Sequence, residues 1–153
     1  MSVYIAALLI GVICGLRAFM GPTAVSWAAR LGWLPVEGSW AAFMGYAYTP
    51  YIWTVFQLVE FVTDQLPQTP SRKVPPQFGA RLLFGGFSGA VIGTAGGSLI
   101  GGLIAGIVGA VAGTLGGAEL RGRMASAFGS DRPAALIEDA IAIVGAFVVV
   151  RYL

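Results

Sequence analysis

A chain of 153 residues that is 57% hydrophobic, holds 23 glycines and is only 10% charged is far more apolar than a water-soluble domain, in which about 25% of residues carry charge. Its length accommodates one domain, residues 1–153. With no histidine, one cysteine and a net charge of +2, it excludes a Cys/His zinc site, a Ser-His or Cys-His nucleophile pair, a histidine-ligated haem, an intrachain disulfide and a Lys/Arg block for nucleic acid. The expectation is an all-α, polytopic membrane helical bundle with no enzymatic chemistry, no metal and no cofactor, whose partners are the lipid bilayer and a small ion or solute.

Val3 to Met20 is the first apolar run, long enough to cross most of a roughly 30 Å hydrocarbon core, and its sole charge is Arg17. It lacks the basic start of a secretory signal and reads as a permanent membrane helix. Gly21-Pro22 is the expected break, because proline removes a helical N–H and clashes with the preceding turn. Thr23 to Leu34 then forms a half-helix or the second limb of a bent one. Trp40 to Val62 follows, with its spanning part expected from Tyr51. All four tryptophans and three of the five tyrosines lie between residues 27 and 53, and such amphipathic rings settle at the headgroup level.

Residues 64–76 hold four of the eight prolines and form a polar loop joining two halves, 1–66 and 76–153. From Phe78 to Ala118 the sole charge is Arg81. As one helix these 41 residues would reach about 62 Å, twice the bilayer core, so the chain must turn near Gly96-Gly97 to Gly101-Gly102. Glu119 to Arg132 is expected to be a second polar loop, and Pro133 to open a last helix over Ala134 to Tyr152. The bundle therefore has five to six membrane segments: six if residues 3–34 cross twice, five if they cross once. The basic loops 64–77 and 119–133 lie on one side, cytoplasmic by the positive-inside rule, with the C-terminus outside.

Gly85, Gly89, Gly93, Gly97 and Gly101 recur every four residues. That spacing bares backbone along one helix face and allows close helix packing, within the chain or in a homodimer. Intramembrane charge is costly, which singles out Arg17 beside the break, where the N-terminal end of the next half-helix adds a positive dipole suited to an anion or carboxylate. Pairing with Glu60 or Glu138, or snorkelling to an interface, is the alternative. Glu60 and Asp64 share a helix face near a negative dipole end, so a basic residue such as Arg72, Lys73 or Arg81, a bound cation or a proton must compensate them. Glu138 and Asp139 point about 100° apart on their helix and are not expected to face one ligand together. Arg17, Glu60, Asp64, Arg81, Glu138 and Asp139 are thus the candidate solute or ion path.

A G-x-R-x-x-x-G frame occurs at Gly15-Arg17-Gly21 and again at Gly79-Arg81-Gly85, and Leu58-Val-Glu60 echoes Leu136-Ile-Glu138. With three segments in each half, the halves would be inverted repeats of the kind found in transporters.

GLRAFMGPTAVSWAARLGWL, EFVTDQLPQTPSR and the glycine-rich hairpin together resemble a bacterial family of small multi-pass membrane proteins classified as a domain of unknown function, with a Gly-Leu-Arg-Ala-Phe start and a Glu-x-x-x-Asp-x-x-Pro segment. The resemblance singles out Gly15, Arg17, Phe19, Glu60, Asp64 and Pro67, and implies residence in the bacterial inner membrane. Members often carry Asp-Lys-Ile-Pro where this chain has Asp64-Gln-Leu-Pro67, so a lysine partner for the aspartate is missing. The leading expectation is a small transporter or channel; the alternative is a membrane scaffold or lipid-binding protein.

Overall fold

The computed structural model describes residues 2–36, 38–63, 75–129 and 131–151. Among these the chain is all-helical: α1 Val3–Leu16, α2 Met20–Arg30, a 3-10 helix Trp40–Gly45, α3 Thr49–Thr63, α4 Pro75–Ala95, α5 Leu99–Phe128 and α6 Asp131–Arg151. Two stretches, Phe78–Ala95 and Leu99–Met124, are long and apolar enough to cross a membrane, and α1 is a shorter apolar helix.

Glycine determines how the three central helices meet. Positions 85, 89 and 93 of α4 lie against Gly102 and Gly106 of α5, running in the opposite direction, while Gly11 and Gly15 of α1 meet Gly106 and Gly113 of α5, running in the same direction. A Cβ at Gly89 would collide with the carbonyl oxygen of Gly102, and one at Gly106 with that of Gly85. Bare backbone on both sides is therefore what allows this approach. Gly97 departs from the ladder. It has φ +85° and forms the α4–α5 turn, in which Ser98 N–H donates to Gly93 O at 2.6 Å and Gly97 N–H to Thr94 O at 3.2 Å. This closure needs a left-handed residue just past the helix. Gly101 faces the Tyr4 ring and the Ser98 hydroxyl instead of α4.

Around this triplet the described helices that follow one another run in opposite directions. Val3 sits at the α4–α5 turn against Gly96. The far end of α1 meets α6 where Arg17 contacts Glu138. Because Trp33, past the end of α2, stacks edge-on to Phe147 at 6.1 Å and lies under Arg151, α2 returns along α1 as a second limb. A left-handed Gly32 closes α2, with Trp33 N–H donating to Ala28 O at 2.8 Å. Helix α3 then descends from the aromatic end, where Trp40 Nε1 donates to Thr94 Oγ1 at 2.9 Å, to Glu60 beside Ala18.

Several expected boundaries move, and α4 and α6 begin at Pro75 and Asp131, inside the expected loops. The α1–α2 break falls at residues 17–19, not at Gly21-Pro22: Pro22 is the third residue of α2, and proline in a first turn removes an N–H that had no helical partner anyway. Residues 119–128 are helix, not loop. Helix α5 runs 30 residues, about 45 Å, carried by the good helix formers of AELRGRMASA and a Glu119–Arg123 pair at 2.6 Å one turn apart. It stops at Gly129, φ +71°.

The polarity of the body is reversed relative to a soluble domain. Arg17, Glu60, Arg81, Glu138 and Asp139 are buried, whereas Ile52, Val59 and Val62 of α3, Ile100 and Ile104 of α5, and Val144 and Phe147 of α6 are exposed. Charged residues are seldom fully buried, and large apolar residues gathered on the outside mark a surface that meets something other than water.

Gly89→Ala and Gly106→Ala should each destabilise the protein by about 1–3 kcal/mol through overpacking against backbone. Gly116→Ala, where a Cβ meets nothing within 4 Å, should be neutral or stabilising by about 0.5–1 kcal/mol. Thermal melts in detergent check the contrast, and equal melting points for all three variants would disprove the packing assignment.

Candidate functional site

Unwinding at residues 17–19 leaves the N–H groups of Ala18 and Phe19, just ahead of α2, without helical carbonyl partners. A side chain from another helix supplies them. Glu60, on α3, accepts from Ala18 N–H through Oε2 at 2.7 Å and from Phe19 N–H through Oε1 at 3.0 Å. The carboxylate thus sits on the positive end of α2, where both the dipole and two charge-assisted hydrogen bonds favour it. Its compensation was expected from a basic residue, a cation or a proton; part of it comes from backbone N–H groups.

Arg17 is the residue at which α1 stops, in extended backbone, φ −141° and ψ 115°. That conformation turns its side chain away from the helix axis and into the bundle, where it is fully buried. Its Nη1 donates to Glu138 Oε1 at 2.5 Å and to Leu16 O at 2.9 Å, and its Nε donates to Asp139 Oδ1 at 2.5 Å. Nη2 also meets Asp139. The expectation that two neighbouring residues on α6 cannot face one ligand is therefore overturned. The guanidinium fork carries five donors spread over three nitrogens and spans the angular gap between the two carboxylates.

Arg81 joins from α4. It is buried, and its Nε donates to Gly15 O at 3.2 Å, a carbonyl left open because α1 ends one residue later. Five charged side chains from four helices thus converge on the five residues Gly15 to Phe19. Asp64, the sixth candidate, lies outside the described residues, as does Pro67. Phe19 anchors the break from the apolar side, with ring centroids 5.0 Å from Phe84, 5.6 Å from Phe56 and 6.2 Å from Trp53. Among the described residues no three His, Cys, Asp or Glu side chains are grouped to hold a metal ion.

Two buried polar residues at this level were not singled out by sequence. Gln57, 3% exposed, precedes Glu60 by one turn of α3, and neither atom of its amide meets a partner; Thr114 of α5, fully buried against Gly15, has an unpartnered hydroxyl. An amide one turn before the only acid in an apolar helix was the available signal for Gln57. Comparison with family models, with curated proteins and with solved structures yields no match.

Arg17→Leu should cost about 3–5 kcal/mol, since it strands two buried carboxylates. Combining it with Glu138→Gln and Asp139→Asn should recover much of that loss. Chemical denaturation of the single and triple variants measures this, and a triple variant no more stable than the single would refute the pairing.

Proposed function

We propose that the chain is a small integral membrane transport protein, conducting an ion or small solute through the polar core at the α1–α2 break. The observation that carries this reading is the convergence of five buried charges on an unwound link inside a body whose exterior is apolar. Ionisable groups held within apolar surroundings, paired with one another and with open backbone, mark ion and solute paths in membrane proteins. Discontinuous helices whose N-terminal ends face a carboxylate are a recurrent way of building such a path.

In this reading all six α-helices are membrane segments, and the N-terminus, like the C-terminus, lies on the outer side. The halves α1–α3 and α4–α6 each contribute three segments of alternating direction, so they have opposite orientation, as inverted repeats require. The end carrying the 64–77 segment and the α5 extension, with Arg121 and Arg123, is cytoplasmic. The resemblance to small multi-pass bacterial proteins accords with the inner membrane. The glycine faces are occupied within the chain, so a homodimer would use the outer faces of α3 or α6 instead.

A second reading has its own support. Arg17 is already matched by two internal carboxylates, which is what a purely structural charge cluster needs, and a scaffold or lipid-binding protein would require nothing more.

Reconstitution into liposomes separates the two. The transport reading expects flux of a small ion or solute that falls at least about tenfold in Glu60→Gln, with the variant still folded. Folded protein that moves none of protons, alkali cations, halides or small carboxylates leaves the scaffold reading.

A further inference from the structure

Pro22 opens a gap in the hydrogen bonding of the break that Glu60 does not fill. Along the turn into α2, Met20 N–H donates to Arg17 O at 3.1 Å and Thr23 N–H to Phe19 O at 3.1 Å, a carbonyl that also accepts from Thr23 Oγ1 at 2.7 Å. Between these two carbonyls lies that of Ala18, which a continuous helix would pair with the N–H of residue 22. Proline has none to give, and among the described residues no other backbone N–H donates to this oxygen. Ala18 is buried, where an unmet carbonyl is costly.

Gln57 is an independent observation at the same level. The side of α3 that meets α2 is fixed at two points: Trp53 O accepts from Thr23 Oγ1 at 3.0 Å, and Glu60 accepts from the N–H groups of Ala18 and Phe19. Gln57 lies on that side about one turn from each, and residue 22, just before Thr23, falls between the same two contacts. The Gln57 side chain is 3% exposed, with no partner for Nε2 or for Oε1. One donor on Gln57 and two acceptors, its own Oε1 and the Ala18 carbonyl, are thus left open together. Water matches this set, since it accepts from Nε2 and has two hydrogens to give to the oxygens. An alkali cation would meet the two oxygens and leave Nε2 unpaired, and a halide would meet Nε2 alone.

We propose that the Gln57 amide and the Ala18 carbonyl hold one exchangeable water molecule in the break, one turn of α3 from Glu60. The water stands in for the N–H that Pro22 lacks, as the Glu60 carboxylate stands in for the carbonyls lost ahead of α2. Bound waters that make about three hydrogen bonds to buried polar groups are part of a fold. The inference deepens the transport reading by making the path wet at Gln57, so that a solute crossing the break exchanges with this water, and it rests on that reading only for its role in flux.

Nuclear magnetic resonance on the full chain in detergent, with heavy nitrogen in glutamine alone, tests the site without any transport assay. The pair of side-chain N–H signals missing from Gln57→Leu identifies Gln57. In the wild type these protons should show cross-peaks to water of opposite sign in NOE and ROE spectra, the mark of a held water as distinct from proton exchange. Pro22→Ala returns an N–H to the Ala18 carbonyl and should abolish the cross-peaks; Pro22→Val makes the same backbone change if that variant does not fold. Absence of the cross-peaks in the wild type or their persistence in both Pro22 variants would overturn the proposal. So would a shift of the Gln57 signals when sodium replaces choline in the buffer, which would assign the site to a cation. Cross-peaks that behave as expected in protein that shows no liposome flux support the water site and remove the transport reading. Flux without the cross-peaks does the reverse.

Discussion

Opening a helix inside an apolar body creates a debt of unsatisfied backbone groups, and the arrangement of this protein follows from how that debt is met at residues 17–19. N–H groups at Ala18 and Phe19 and the carbonyl of Gly15 cannot reach water, so charged side chains from α3 and α4 meet them. Each of these charges then needs a counterpart of its own, which draws α6 in through Arg17. The cluster is thus both the connection that lets α1 fold back as α2 and the bond that ties both halves of the chain together. Its polarity is a consequence of the fold as much as a device for function.

Close packing of the glycine faces makes the cluster attainable. Arg17 and Arg81 lie on different helices, and they converge near Gly15 because α1, α4 and α5 approach to backbone contact along their glycine faces. With larger residues the helices would stand farther apart, and the reach of a guanidinium would have to cover the difference. Phe19 and its ring neighbours on α3 and α4 seal the opposite side of the break with apolar contacts, where dispersion and the low local polarity strengthen the hydrogen bonds beside them. The polar and apolar parts of the site therefore depend on each other.

Long-range pairing was the part hardest to read in advance. The significance of Arg17, Glu60, Arg81, Glu138 and Asp139 was legible because charge is scarce in this chain and each of these residues interrupts an apolar run. What each one binds was not, since Glu60 finds backbone N–H groups 41 and 42 residues away and Arg17 finds α6 at 121 and 122. The displaced break has a local cause. Proline is the expected point of rupture, whereas a first-turn proline is compatible with a helix, and unwinding occurs where a buried carboxylate can replace the lost carbonyls. Gln57 stayed hidden because a lone amide in a helix has no pattern, and only burial without a partner distinguishes it.

By itself, the sequence determined the helical class, the apolar character, a turn within the region from Gly96-Gly97 to Gly101-Gly102 and the four-residue glycine spacing. These rest on local properties: composition, run length and the conformational freedom of glycine. Tertiary structure alone decided that residues 3–34 double back, that α5 continues to Phe128, and that five scattered charges form one buried cluster. Those outcomes depend on which distant groups can satisfy a broken helix, and hydrogen bonding across more than forty residues leaves no trace in local periodicity.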